Sequence, residues 1–248
     1  METTATVKVK DLRGGGGSFA KYRALTYGDV SLGYCVKAEL LFSTLGPMPG
    51  AAGLFLRSRL YRGLFGRAGR GLLVGRNVTF RHPRKINIGD GVIIDDNCVL
   101  DAKGDTNAGI RIGDEVFLGR NTIVYCKNGD ISLERRVNVS ANCTIFSSNS
   151  LTIGEGTVVG GYSYLLSGGE YDYTDMKIPF ADQSGMGTRG PLVIGANCWL
   201  GARVTVLDGA GIGEHCVIGA GAVVTKPIPA HTLAVGVPAR SAREIKGS

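Results

Sequence analysis

The residues of this chain that could move a proton gather in one stretch that fits no repeat. Between Leu166 and Gly190 the sequence is polar and glycine-rich, and Glu170, Tyr171 and Asp172 stand there in succession. A carboxylate becomes a useful base when partial burial raises its pKa toward neutrality. A tyrosine, with an unperturbed pKa of about 10, is a poor one. The three histidines, His82, His215 and His231, are too scattered to build a zinc site, and no CxxC pair offers one, so no metal is expected. A second group suits anions. Lys226, Arg240 and Arg243 lie near the end of the chain, and lysine or arginine gives strong charge-assisted hydrogen bonds to phosphate.

What positions these residues is a period of six. Aliphatic residues fall at Ile194, Leu200, Val206, Ile212, Ile218 and Val224. A strand repeats every second residue and a helix every 3.6, so a sustained period of six means three short flat faces per turn, each sending one side chain inward. A parallel β-helix follows. Small residues at Cys198, Val204, Ala210, Cys216 and Ala222 fit the narrow corners of its interior. The register begins near Val74 and restarts at Ile88, Ile112, Leu133, Ile153, Ile194 and Ile212, each restart absorbing an insertion at a corner. Only the interval from Ile153 to Ile194 is far too long, and its excess is the stretch at 166–190. A long loop on a regular scaffold is a usual place for function.

The remaining composition narrows the partners. Cys98, Cys143, Cys198 and Cys216 share one inward position, which makes them small buried hydrophobes rather than bridges. A reducing cytoplasm is the expected location, since no secretory leader is evident. The net charge of +7 is uneven: no acidic residue separates Glu39 from Asp90, while Arg57, Arg59, Arg62, Arg67, Arg70, Arg76, Arg81, Arg84 and Lys85 fall between them. Such a run attracts anions. Without aromatic interleaving or a binding motif, nucleic acid is not the expected partner. An anionic membrane surface or anionic sugar carrier is.

Residues 1–30 read as a flexible tail, because Gly14 to Gly17 and their polar neighbours cannot repay the entropy of ordering. Residues 31–73 read as a basic segment of two short amphipathic helices, with Tyr34, Ala38, Leu41 and Leu45 on one face and a break at Gly46 to Gly50. Two placements are open for it: against the β-helix, or flat on the inner face of a membrane with arginines toward headgroups. The prolines exclude a span. The β-helix covers 74–226, and 227–248 form its C-terminal cap, as a repeat stack requires.

In Cys198-Trp199-Leu200-Gly201-Ala202, Gly219 through Pro227, and Gly236-Val237-Pro238-Ala239-Arg240, the chain resembles the hexapeptide-repeat acyltransferases, among them galactoside, maltose and bacterial polysaccharide acetyltransferases. The resemblance covers about 74–246. It implies an all-β fold, a left-handed parallel β-helix, assembled as a homotrimer with acetyl-coenzyme A in the cleft between subunits. It further implies that Ala202 and Ala220 flank the pantetheine arm and Gly201 permits its close approach. Thr225 would lie at the adenine end, and Lys226 with Arg240 would meet the phosphates. Trp199, next to an inward cysteine, should point outward into the cleft.

The chain departs from the family at the loop, where Tyr171 takes the place of the catalytic histidine. Glu170 and Asp172 are then the nearest candidates for the base. The expected function is transfer of an acetyl or similar group from coenzyme A to a hydroxyl or amine of a sugar or polysaccharide precursor. The alternative is a non-catalytic trimer of the same fold that serves as a scaffold.

Overall fold

An aliphatic side chain at every sixth position becomes one wall of a three-walled prism. The computed structural model describes residues 2–4, 17–174, 177–180, 182–183 and 186–245, and its body is a parallel β-helix of three sheets. The first face begins at Arg67–Ala68 and climbs through Ile86–Ile88, Ile110–Ile112, Asp130–Leu133 and Ser150–Ile153 to Leu192–Ile194. The second begins at Leu73–Val74 and includes Val158–Val159, Trp199–Leu200 and Val217–Ile218. The third begins at Thr79–Arg81 and includes Ile123–Cys126, Thr144–Ser147, Tyr164–Ser167, Thr205–Val206 and Val223–Val224. Register is unbroken from coil to coil, as in Val159 opposite Leu200 and Leu200 opposite Ile218. All six aliphatics of the 194–224 run are buried. Burying each such side chain stabilises by about 1.5–3 kcal/mol.

The corners explain the other half of the pattern. Asn77, Asn97, Asn121 and Asn142 occupy one corner of four successive coils, each with φ between 54° and 61°. That left-handed turn penalises most side chains and is tolerated by asparagine. All six cysteines are free and buried, and burial pushes the Cys98 and Cys198 thiols up to about 11.

Three helices close the lower end: α1 (Ser18–Thr26), α2 (Leu32–Leu45) and α3 (Gly50–Leu60). The Ser31 hydroxyl caps α2 by accepting the Tyr34 N–H at 3.3 Å. Phe42, Tyr61 and Phe65 close on Phe80 of the first coil, with ring centroids 5.9, 6.2 and 4.9 Å away. Arg57 is 2% exposed and ties the helices to the stack, donating to the carbonyls of Val74, Leu45 and Met48 at 2.9, 2.9 and 2.7 Å. Of the two placements open in the sequence, the helical segment takes the one against the β-helix. Among the described residues no helix is long and apolar enough to cross a membrane.

Four expectations need correction. The tail ends earlier than residue 30: α1 is ordered by Tyr27, whose hydroxyl donates to Glu39 at 2.8 Å, and by His82, whose N–H donates to the Thr26 carbonyl at 2.7 Å. These are tertiary contacts without a local signal. Glu2–Thr4 pairs with Met186–Thr188, and 5–16, with Gly14 to Gly16, lie outside the described residues. The β-helix starts at Arg67 rather than Val74. Its last coil extends past 226, where Ile228 bridges Ile212 and Thr232–Val235 pairs with Val217–Ile218 before turning back as Arg240–Glu244. The basic run is neutralised in part, because Arg70, Arg76 and Arg81 each meet the aspartate one coil above, Asp90, Asp96 and Asp101, at 3.2, 3.4 and 3.8 Å.

Candidate functional site

The loop leaves the prism at the corner between the third and first faces, after the strand Tyr164–Ser167, and returns at Leu192–Ile194. Its start is narrower than the sequence implies, because Leu166 and Ser167 still belong to the coil. One carboxylate holds both ends. Asp208 is 2% exposed; its Oδ1 accepts the Gly168 N–H and, at 3.2 Å, the Thr188 hydroxyl, while Oδ2 accepts the Arg189 N–H. Gly168 is required here. Its φ is 77°, and a Cβ would stand 2.2 Å from the Ser148 hydroxyl oxygen.

Above that root the loop is locked by a second set of contacts. Glu170 and Gly187 exchange backbone hydrogen bonds at 3.1 and 2.7 Å, and Glu170 is ion-paired to Arg189 at 2.9 Å. The Glu170 carboxylate is therefore already engaged as a loop clasp. Tyr171 is partly exposed and packs against Phe180 with ring centroids 5.9 Å apart. Asp172 is exposed; its Oδ1 accepts from the Thr174 N–H at 2.8 Å and the Thr174 hydroxyl at 2.6 Å, which fixes the rotamer of that carboxylate. Below the root, Tyr125, Phe146 and Leu166 lie in register on the outer side of the third face, and burial raises the Tyr125 hydroxyl to about 12.

Sequence reasoning missed Asp208, yet it left a signal. In the coils below, the slot two residues beyond the inward aliphatic of the third face holds Cys126, Ser147 and Ser167, all small. Asp208 stands in that slot two residues beyond Val206. A charge in an inward column demands several donors, and the loop ends supply them.

The residues expected around coenzyme A occupy other edges. Trp199 is 60% exposed on the second face, in one outward column with Leu73, Ile93, Phe117, Asn138, Val158, Val217 and Leu233. Ala202 and Ala220 stack, exposed, at the corner between the second and third faces, where the Ala202 carbonyl accepts the Gly221 N–H at 2.9 Å. Gly201 has a different reason from the one expected. A Cβ there would meet the Ala220 nitrogen at 2.6 Å, so its glycine is demanded by the coil stacked above. Thr225 and Lys226 end the third face, on the loop's side of the prism, and Arg240 begins the returning strand. Lys226 and Arg240 are both exposed, and neither has an ion pair among the described residues.

The histidines lie away from the loop. His82 ends the first coil, four coils below the loop root, or about 20 Å at roughly 4.8 Å per step. There it is buried between Asp101 at 3.3 Å and the Ala24 carbonyl at 3.1 Å. His215 and His231 occupy one corner of consecutive coils, between the first and second faces, and their rings stack at 5.1 Å. Face one separates them from the loop's corner.

Comparison with known proteins agrees with this architecture. Residues 191–226 match the bacterial transferase hexapeptide model of six repeats, and 109–147 match the hexapeptide repeat of succinyl-transferase. Both segments match hexapeptide-repeat models. A putative acetyltransferase of Staphylococcus aureus is 40% identical to this protein over 116 residues, 47% of this chain and 56% of the relative. The galactoside O-acetyltransferase of Escherichia coli is 32% identical over 123 residues, 50% and 58% of the two chains. The chain thus spans a little over half the length of these curated relatives. Its fold is shared with an N-acyltransferase from Bacillus cereus, solved as a mutant with dTDP and coenzyme A: TM-score 0.54 at 18% identity, covering 82% of this chain and 92% of that one.

Proposed function

We propose that this chain is a coenzyme A-dependent acyltransferase that moves an acetyl or similar group to a hydroxyl or amine of a sugar. The observation that carries the reading is a division of labour between edges. The loop with Asp172 is locked to the corner between the third and first faces, while the exposed Ala202 and Ala220 stack at the opposite edge of the third face. A cleft that uses both edges is assembled from two copies of the prism, and the outward column that carries Trp199 and Val217, apolar but for Asn138, is a surface such a copy would cover. We therefore take the assembly to be a homotrimer, with three equivalent clefts.

In that cleft Lys226 and Arg240 hold the phosphates of acetyl-coenzyme A, and Thr225 sits beside its adenine end. Trp199 lies along the rim, and the small side chains of Ala202 and Ala220 leave room for the pantetheine arm. The co-substrate supplies the activated acyl group. The protein supplies position, which alone contributes greatly to rate, and a base. Asp172 is the base we assign, because Glu170 is held by Arg189 and Tyr171 is poorly suited near neutrality. As the acceptor oxygen attacks the thioester carbonyl, its proton passes to the Asp172 carboxylate; as the carbon–sulfur bond breaks, that proton passes on to the sulfur and coenzyme A leaves as the thiol. Sugar acceptors are supported by the galactoside O-acetyltransferase among the relatives. A titration calorimeter tests the cofactor assignment: Lys226→Ala should weaken coenzyme A binding by about 1–3 kcal/mol, and unchanged affinity would remove Lys226 from the site.

The second reading, a scaffold of the same fold, is favoured by one observation: a tyrosine stands where the family carries its histidine. Tight coenzyme A binding with no turnover on any sugar would establish it.

A further inference from the structure

At the lower end of the corner that carries the loop, α1 and the turn behind it roof a cavity of about 460 Å³. Arg23, Arg84, Lys85 and Lys103 line it, against the carboxylates of Asp29 and Asp105. Among the described residues these cations share an unpaired state with Arg67, Arg136 and Arg203 of the coils, but here four such cations line one cavity. Arg70, Arg76, Arg81, Arg111, Arg120, Arg135 and Arg189 each have a carboxylate partner, whereas none of these four does among the described residues. Lys85 Nζ is bonded to neutral acceptors, the Gly104 carbonyl at 2.6 Å and Asn107 Oδ1 at 2.9 Å, which leave its charge uncompensated. The Arg84 guanidinium lies 4.7 Å over the Tyr34 ring. The ring occupies the face of that fork, and its N–H edge is the part that reads phosphate. One coil above, burial and then the charge of Lys103 pull the Lys127 ammonium below its ordinary value.

We propose that this cavity binds a phosphoryl group, with Arg84 and Lys103 as its principal contacts and Arg23 and Lys85 supplying the field. The ligand class is a phosphate ester: a soluble sugar phosphate or the headgroup of an anionic lipid presents the same oxygens. The inference stands on the cations and the cavity and does not depend on acyl transfer. The site lies three to four coils below the loop root, on the order of 15–20 Å.

The test is calorimetric titration of the full chain with inorganic pyrophosphate, comparing Arg84→Gln/Lys103→Gln with Arg120→Gln/Arg135→Gln, which removes the same charge from paired positions. Thermal melts establish that both fold. The site requires saturable binding that the first pair weakens about a hundredfold, tenfold per lost charged contact, and the second leaves intact. Equal weakening by both pairs would mean attraction by net charge alone and overturn the proposal, as would a failure to saturate. Flotation with phosphatidylcholine vesicles, with and without phosphatidylglycerol, identifies the source. Recruitment by phosphatidylglycerol that Arg84→Gln/Lys103→Gln abolishes assigns a headgroup; pyrophosphate binding without recruitment assigns a soluble ester.

Discussion

In the coils one polar device is made many times, and the described ends of the loop are held by others of a different kind. Arg70 with Asp90, Arg76 with Asp96, and Arg81 with Asp101 are one device, an arginine and the aspartate twenty residues on, repeated around the lower prism. Among its described residues the loop has a buried carboxylate at its root, an ion pair between Glu170 and Arg189, and a turn in which Thr174 fixes Asp172. Redundancy suits a scaffold, whose stability is a sum over neighbouring repeats. Contacts of another kind suit a site, where one side chain must hold one geometry.

Substitutions should therefore separate the two regions. The largest effect is expected at Asp172→Asn, which removes the assigned base while keeping a hydrogen-bond acceptor toward Thr174: kcat should fall about 10²- to 10⁴-fold with the melting temperature unchanged. If Glu170→Gln and Tyr171→Phe matched that loss, the distinction between base and clasp would collapse. Next comes Asp208→Ala. It strands the Gly168 and Arg189 N–H groups in a buried place, which costs about 1–3 kcal/mol, and limited proteolysis should then cut first between 168 and 190. Cleavage first in the coils would show that the carboxylate does not hold the loop. The smallest effect belongs to Arg135→Ala. This arginine bridges Glu155 at 2.6 Å and Glu115 at 3.8 Å on the surface, and its loss should leave the melting temperature unchanged within error.

The same contrast decides what the sequence could reveal. The coils are written in a period of six, so the inward ladder from Ile194 to Val224, the buried cysteines and the irregular stretch bounded at 166–190 were all legible in the sequence. Helix α1 was not, because Tyr27, Glu39 and His82 hold it through contacts distant in the chain. Nor was the fate of the basic run, since the pairing of Arg70 with Asp90 appears only when residues twenty apart are stacked. The stacking demand on Gly201 was not legible either, since Ala220 lies against it only once the coils are stacked. Asp208 was the one site feature a closer look at the inward column could have found, as a charge where Cys126, Ser147 and Ser167 set a small residue.

The central claim is that this scaffold presents a loop carboxylate to an acceptor beside coenzyme A. Thiol release from acetyl-coenzyme A, followed with and without a panel of hydroxyl and amino sugars, tests it most directly. Acceptor-dependent release that Asp172→Asn suppresses is the predicted result; coenzyme A bound tightly with no release on any sugar would contradict it.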